Sequence, residues 1–289
     1  MERVNDILGM LAAGRRVLWL DSYEYASRLS GRNTRELGTS VTDFVLAISD
    51  AQRLLGSDVV SLPAEAFYGP ALAEFVDAST GRDAVTTLRE LWRTGHGVDA
   101  LRQVIDAVAN LVAGNAAVAL VLPSPSHWLT MAGSQAADED TIDTLAMYLA
   151  EHLRTFFDSP ISAIVLDEGS KVADASAVAD LYRPILNLAR HYGWASGVAA
   201  ASIQSAPALL DTVDFVLWRE SSVDDVAPEW REGRAVGGGL RHSWWAGNGP
   251  LPGDLPSAAF GFGTVPGDVE PEVILACVER WRAATVHVS

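Results

Sequence analysis

The sequence predicts an α/β fold, a single-domain (β/α)8 TIM barrel that covers residues 1–289 after a short N-terminal helix (1–14). Eight short apolar segments alternate with segments of helical periodicity, as βα repeats require. No low-complexity linker or change of composition divides the chain, and a helix with an apolar face closes it at 269–284. A doubly wound open sheet is the alternative, and the number of strands favours the barrel.

Apolar spacing and local stop signals place the elements of the first half. Residues 2–13 repeat apolar side chains at helical spacing and stop at Gly14, and the helix that begins at Thr42 is capped by Gly56. Short β-rich runs between such segments predict buried strands. The predicted elements are helix 2–13, strand 16–20, helix 42–55, strand 58–62, helices 84–92 and 98–112, and strand 116–123.

The second half continues the alternation with less regularity. A long amphipathic segment precedes the strand at 161–167, whereas the polar and Gly-rich stretch 221–240 predicts a loop, either a lid or disordered. The predicted elements are helix 138–157, strand 161–167, helix 177–192, strand 196–201, short helix 206–210, strand 214–218, strands 242–246 and 258–262, and helix 269–284.

Composition limits the classes of partner and the cellular compartment. The chain has 21 basic and 37 acidic residues, a formal charge of -16, which disfavours nucleic acids and anionic membranes. Cys277 is the single cysteine, so an internal disulfide and a zinc site of several thiolates are excluded. The N-terminus lacks the pattern of a signal peptide, and no apolar run could span a membrane. We therefore expect a cytoplasmic protein with neither nucleic acid nor membrane as partner.

The strand at 161–167 ends in two acids that are the first candidates for chemistry. The run I-S-A-I-V-L-D-E-G is too short for a buried helix and places Asp167 and Glu168 at the carboxyl end of a parallel strand, where barrels bind ligands. Asp21, Glu65 and Glu220 follow other predicted strands. Crowding among such acids would raise a pKa for proton transfer. Alternatively, Asp167 and Glu168 bind loop amides, and Arg219 pairs with Glu220.

Aromatic residues and one histidine complete the predicted site. His127, in a Ser-Pro-Ser-His-Trp segment, is the best-placed general acid or base, or else a structural hydrogen-bonding group. Trp128, Trp244 and Trp245 suggest an aromatic pocket for a small, weakly charged molecule. In a strand, only one of Trp244 and Trp245 would face inward. Trp19 and Trp281 are expected to fill the barrel or its helix layer.

Motif searches argue against several common chemistries. The chain has no G-x-G-x-x-G after a strand, no phosphate-binding loop, no H-E-x-x-H and no G-x-S-x-G. Lys171 is the only lysine, and a solvated loop lysine is the preferred interpretation over a Schiff-base amine.

Four strand-end segments, 58–65, 119–128, 164–169 and 260–272, together resemble the superfamily of uroporphyrinogen decarboxylase and cobalamin-independent methionine synthase. The resemblance implies a TIM barrel from about Arg16 onward. The family's R-x-x-x-R arginines are replaced by Asp21 and Tyr25, its aspartate by Glu65, and its late histidine by Phe262. An anionic porphyrinogen would be repelled.

The methyltransferase branch of that superfamily holds zinc through H-x-C-G, which reads Ala200-Ala201-Ser202-Ile203 here. The resemblance therefore implies no zinc-thiolate route, and we predict no cofactor. An alternative metal site would combine His127, Glu168 and His242.

The sequence thus favours a metal-independent, lyase-type acid/base enzyme that acts on a small organic molecule at the carboxyl-end mouth of the barrel. A methyl or alkyl transferase and a non-catalytic binding protein remain open, as does the oligomeric state. The predicted catalytic residues are His127, Glu168, Glu65 and Asp167, without metal ligands. The predicted substrate-binding residues are Asp21, Tyr23, Ser126, Trp128, Ser202, Gln204, Arg219, Glu220, His242 and Trp244.

Overall fold

Eight parallel strands close into a barrel with the order β1-β2-β3-β4-β5-β6-β7-β9. The computed structural model describes residues 7–78, 83–134, 138–169, 180–201, 209–246 and 254–287. The barrel closes where Val17 pairs with Phe260, which confirms the predicted fold class and excludes the open sheet. The strands are β1 Val17–Asp21, β2 Val59–Pro63, β3 Ala117–Pro123, β4 Ala163–Asp167, β5 Ala195–Ala200, β6 Phe215–Trp218, β7 Val236–Gly239, β8 Asp254–Pro256, β9 Phe260–Thr264 and β10 Thr285–His287. β8 and β10 form a separate two-stranded sheet.

Helices surround the barrel, and those predicted at 42–55, 84–92, 98–112 and 269–284 lie within two residues of their predicted bounds. The Ser40 hydroxyl accepts a hydrogen bond from the Asp43 N–H at the start of the helix Val41–Leu55, and Gly56 ends that helix in the left-handed conformation. The helices are α1 Ile7–Ala12, α2 Tyr23–Leu29, α3 Thr34–Leu37, α4 Val41–Leu55, α5 Glu65–Ala78, α6 Ala84–Arg93, α7 Val98–Leu111, α8 Pro125–Met131, α9 Glu139–Leu153, α10 Arg183–Tyr192, α11 Val223–Arg231 and α12 Pro271–Ala283. None of the described helices is long and apolar enough to cross a membrane.

Aromatic side chains fill the interior of the barrel. The Trp19 ring packs against Phe215, Phe260 and Phe262, and its indole N–H donates to the Ser61 hydroxyl at 2.7 Å. Trp281 packs against Trp230 in the helix layer. Both tryptophans therefore have the filling roles expected for them, because each buries a large apolar area in a close-packed region.

The stretch 221–240 is not the loop that its composition predicted. It contains α11 and the barrel strand β7. A Cβ on Gly237 would lie 2.7 Å from the Leu217 side chain, and one on Gly238 would lie 2.4 Å from the Ser221 hydroxyl. These glycines are there because neighbouring groups approach the strand closely, so the Gly-rich composition reflects packing and not loop flexibility. The hypothesis that this stretch is a disordered segment or a lid is therefore wrong.

The predicted strand at 242–246 is also wrong, since His242–Trp244 is a 3-10 helix. The expected alternation of Trp244 and Trp245 fails for the same reason, and both side chains are buried. The strand predicted at 258–262 is confirmed as β9, Phe260–Thr264, which begins and ends two residues later than predicted.

Several helices were not predicted. α2, α3 and α5 lie in segments for which the sequence predicted neither helix nor strand. α5 contains Pro70 within the helix. The Ser-Pro-Ser-His-Trp segment begins α8, where the Ser124 hydroxyl accepts the His127 N–H and Pro125 occupies the first turn. Most of the predicted helix 206–210 and the first part of helix 177–192 lie outside the described residues.

Candidate active site at the barrel mouth

A cavity of about 160 Å³ opens at the carboxyl ends of the barrel strands. Its lining comes from segments that follow different strands, as expected for the ligand-binding face of a TIM barrel. The described lining residues are Asp21, Tyr23, Glu24, Pro63, Glu65, Val121, Pro123, Asp167, Arg219 and Thr264. The structure thus brings together five predicted site residues: Asp21, Tyr23, Glu65, Asp167 and Arg219.

An ion pair crosses this cavity. The Arg219 guanidinium donates to Asp167 Oδ1 at 2.5 Å, and the Gly169 N–H donates to the same oxygen at 2.8 Å. The side chains of Arg219 and Asp167 are 22% and 17% exposed, so solvent screens the pair only partly. Burial lowers the pKa of Arg219, but the hydrogen bond and charge of Asp167, with the charges of Asp21 and Glu220, raise it overall. Arg219 therefore pairs with Asp167. The alternative interpretation, in which Arg219 pairs with Glu220, is wrong.

Asp21 lies beside this pair in a different environment. Burial raises the pKa of Asp21, and the charges of Asp167 and Glu24 act in the same direction, whereas Arg219 and the Tyr23 N–H oppose the shift. The net direction is upward, so the protonated form of Asp21 is favoured relative to an ordinary aspartate. A carboxyl group that favours its protonated form thus shares one cavity with the ion-paired Asp167, an arrangement suited to acid/base chemistry.

Tyr23 and Glu65 lie on the opposite side of the cavity from the β6 end. The Tyr23 hydroxyl donates to the Thr34 carbonyl at 2.5 Å. Burial raises the pKa of Tyr23, and the charge of Glu65 adds to the shift. Tyr23 consequently stays protonated at neutral pH and holds α3 against the cavity wall.

Glu168 directly follows β4 and is buried with different neighbours from those of Asp167. Its carboxylate accepts hydrogen bonds from the Tyr182 hydroxyl at 2.7 Å and from the Ser124 hydroxyl at 3.0 Å. Burial raises the pKa of Glu168 to about 7, even though both hydroxyls oppose the shift. Asp167 lines the cavity, whereas Glu168 is not among its described lining residues. Its predicted catalytic role therefore stays a prediction without support from this placement.

His127 contacts the backbone of Asp167. Its Nδ1 lies 3.1 Å from the Asp167 carbonyl oxygen, and a Cβ on Gly169 would lie 3.0 Å from the imidazole ring. Since a carbonyl oxygen only accepts, Nδ1 carries the proton in this contact, and Nε2 is the acceptor in the neutral ring. His127 thus supports the main chain that carries Asp167 and Gly169. This contact with the Asp167 backbone places His127 near the ion pair of Asp167 and Arg219.

The remaining predicted residues lie apart from the central cavity. Glu220 and His242 line an adjoining cavity together with Arg219. Ser126 lies 3.4 Å from the Tyr182 hydroxyl, next to Glu168. Trp128 is buried against Tyr68 and Trp92 in the helix layer, and Trp244 is buried beneath Arg280, so neither contributes to the mouth. Ser202, Gln204 and Lys171 lie outside the described residues.

Possible metal ligands do not converge within the described part of the chain. No group of three His, Cys, Asp or Glu side chains there is arranged to hold a metal ion, and this includes His127, Glu168 and His242. Phe262 is buried in the barrel interior against Trp19.

Sequence reasoning missed Glu24, Thr264 and Tyr182. Glu24 and Thr264 each follow or end a barrel strand, so their position at strand ends was an available signal. Tyr182 carried no such signal, because it precedes α10 and reaches Glu168 only through the tertiary fold.

No protein-family model matches the chain, and no curated protein matches it. Several solved structures are similar to this chain at low identity. The pneumococcal virulence factor StrH, studied for N-glycan recognition and hydrolysis, is 8% identical, with a TM-score of 0.45 over 94% of this chain and 83% of that chain. A GH20 catalytic module of the same pneumococcal exo-beta-D-N-acetylglucosaminidase is 10% identical, with a TM-score of 0.47 over 94% and 82%.

A GH26 beta-mannanase from Bacteroides ovatus is also 10% identical, with a TM-score of 0.41 over 97% of this chain and 92% of that chain. At such identities and TM-scores, these similarities do not identify a reaction. They also do not point to the decarboxylase and methionine synthase superfamily that the strand-end segments resemble.

Proposed function

We propose that this barrel is an acid/base enzyme that cleaves a C–O bond in a small organic molecule without negative charge, by elimination or by hydrolysis. The observation that carries the proposal is a carboxyl group of raised pKa, Asp21, in the same cavity as the ion-paired Asp167. Pairs of carboxyl groups whose environments separate their proton affinities supply one acid and one base. The proposed chemistry uses no cofactor.

In the proposed step, protonated Asp21 donates its proton to the leaving oxygen as the C–O bond breaks and the bonding electrons stay on that oxygen. Asp167, oriented by Arg219 and the Gly169 N–H, accepts a proton. In an elimination that proton comes from the neighbouring carbon, and a C=C bond forms. In a hydrolysis it comes from a water molecule whose oxygen forms the new bond to carbon.

The charge of the cavity supports the choice of substrate. Asp21, Glu24, Glu65 and Asp167 line it with a single guanidinium, Arg219, among the described lining residues. Arg219 is already paired with Asp167, so an incoming anion would meet an excess of negative charge. Neutral substrates avoid this repulsion.

The test is turnover of a panel of 4-nitrophenyl glycosides and of β-hydroxy ketones by the wild-type protein and by Asp21→Asn. We expect Asp21→Asn to lower kcat by about 100-fold or more, since general acids typically contribute 10²–10⁴. The matched control is Asp140→Asn on the exposed surface of α9, which should leave kcat unchanged. Unchanged turnover in Asp21→Asn, or no turnover of either substrate class by the wild-type protein, would contradict the proposal.

A further inference from the structure

The central cavity is too small to hold a whole substrate of ordinary size. Its volume of about 160 Å³ equals roughly five water molecules at about 30 Å³ each. Pockets for small-molecule ligands typically have volumes of about 300–1,000 Å³. A substrate whose reacting bond lies between Asp21 and Asp167 must therefore extend beyond the central cavity.

Two larger cavities adjoin the central one on different sides and share lining residues with it. One has a volume of about 550 Å³ and shares Tyr23, Pro63 and Glu65. The other has a volume of about 460 Å³ and shares Arg219 and Thr264. Glu24 lines all three. The three cavities thus adjoin one another through shared lining residues, and Asp21 and Asp167 line the central one.

The two outer cavities differ in chemistry. The larger one, which we call the apolar arm, lies between α3 and α5. Pro70, Leu72, Ala73 and Met131 form its apolar wall, and Glu24, Arg35 and Glu65 also line it. The other, the polar arm, is lined by Glu220, His242 and Asp268, with Arg219 already paired to Asp167. Apolar walls favour alkyl or aryl groups, whereas unpaired carboxylates favour groups that donate hydrogen bonds.

We infer that the substrate is an uncharged molecule with two unlike ends, an aryl or alkyl group in the apolar arm and a hydroxylated group in the polar arm, joined by the C–O bond that is cleaved. This inference rests on the proposed function, because that function places the reacting bond at Asp21. It assigns Ala73 and Leu72 to the recognition of one end and Glu220 and Asp268 to the recognition of the other.

The test measures binding by calorimetry and uses phenyl β-D-glucoside as the probe, in the Asp21→Asn protein so that no cleavage occurs. Glucose lacks the apolar end, and phenyl β-D-glucuronide replaces a hydroxymethyl group with a carboxylate. We expect the glucoside to bind at least tenfold more tightly than either. Equal binding of the glucuronide, or no measurable binding of the glucoside, would overturn the inference.

Two matched variants locate the arms. Ala73 is exposed and lines the apolar arm, so Ala73→Trp should fill that arm and weaken phenyl glucoside binding at least tenfold, while glucose binding stays unchanged. Ala283→Trp, on the exposed end of α12, is the control and should change neither. If Ala73→Trp binds the glucoside as the parent does, the assignment of the apolar arm is wrong.

The binding experiment and the turnover experiment test the two proposals separately. One possible outcome is tight glucoside binding that Ala73→Trp abolishes, with no cleavage by the wild-type protein. It would support the two-ended cleft and contradict the proposed chemistry. Cleavage that requires Asp21 but is unaffected by Ala73→Trp and by the carboxylate of the glucuronide would support the proposed chemistry and contradict the two-ended cleft.

Discussion

Asp167 and Glu168 are adjacent in the chain, yet their carboxyl groups have different neighbours and different chemical consequences. Asp167 accepts a hydrogen bond from a guanidinium at 2.5 Å in the barrel mouth, whereas the buried Glu168 accepts hydrogen bonds from two hydroxyls. A buried carboxylate without a cation is costly to ionise, and this cost appears as the raised pKa of Glu168. Asp167 therefore contributes to the lining of the cavity, and ionisation of Glu168 is expected to affect the stability of the fold.

Glu168→Gln should stabilise the folded protein at alkaline pH. The pKa of Glu168 is about 7 in the folded state, above its ordinary value, so the folded state holds the proton more tightly. Stability is then lost as pH rises from about 4.5 to about 7, by roughly 3 kcal/mol at most. A glutamine keeps the shape without this loss. Urea unfolding should show a gain for Glu168→Gln at pH 8 and little difference at pH 4.5.

Glu74→Gln, on the exposed side of α5, is the control and should show no such pH-dependent gain. A Glu168→Gln protein that is equally destabilised at both pH values would mean that the ionised carboxylate is stabilised by its two hydroxyl partners, against the expectation.

At the residue scale, the sequence could identify which acids end strands but not what each one faces. Their adjacency at the end of β4 does not show which of Asp167 and Glu168 lines the cavity. Ion pairing of Asp167 with Arg219 depends on two strand ends, those of β4 and β6, which are separated by β5 in the barrel. The hydrogen bond from Tyr182 likewise depends on the tertiary fold.

At the scale of single elements, helix α9 carries a buried histidine. His152 lies among α5, α6 and the end of α9, with its ring stacked on Trp92 and its Nε2 2.9 Å from the Tyr68 hydroxyl. Burial lowers the pKa of His152 to about 4, so the ring is neutral in the folded protein. Packing of these helices thus includes one group whose charge state differs between the folded and unfolded chains at mildly acidic pH.

His152 should make the protein sensitive to acid. Its folded pKa lies below its unfolded value of about 6.5, so the unfolded state binds the proton more tightly and stability falls from pH 6.5 toward pH 4, by up to roughly 3 kcal/mol. The double variant Tyr68→Phe/His152→Phe removes both hydrogen-bonding partners and should lose less stability over this range in urea unfolding.

Tyr68→Phe alone retains the histidine and should keep the wild-type acid sensitivity, apart from a constant loss for the missing hydrogen bond. If the double variant loses as much stability between pH 6.5 and pH 4 as the wild-type protein, His152 is not the group responsible.

Elements with clear periodicity could be predicted from the sequence, and those shaped by close packing could not. The bounds of α4, α6 and α7 agree with their predictions within a residue or two, because each has an apolar face and recognisable ends. β7 was missed because its glycines are typical of loops in isolation. Only the approach of Leu217 and Ser221, a tertiary fact, makes glycine necessary there.

At the scale of the whole molecule, the excess of acidic residues should reduce the stability of the fold at low ionic strength. A formal charge of -16 implies net self-repulsion at pH 7, which salt screens. We expect Tm at pH 7 to rise by about 2–4 °C as NaCl increases from 20 to 200 mM, the shift for roughly 1 kcal/mol in a chain of this size. Differential scanning calorimetry would measure it.

The same salt series near pH 4.7, the isoelectric point of the sequence, provides the control, because the net charge there is close to zero and the rise should disappear. A Tm that falls with added salt at pH 7 would show that attractive surface ion pairs outweigh the net repulsion.

The pairing of β1 with β9 joins residues at nearly opposite ends of the chain. Val17 meets Phe260, so the first strand has no partner on that side until almost the entire polypeptide has left the ribosome. Contacts of such long sequence separation slow folding, and an unpaired strand edge can recruit a second chain. Any shortened version that ends before β9 would retain two open edges, so the last barrel strand protects this protein from aggregation as well as completing its mouth.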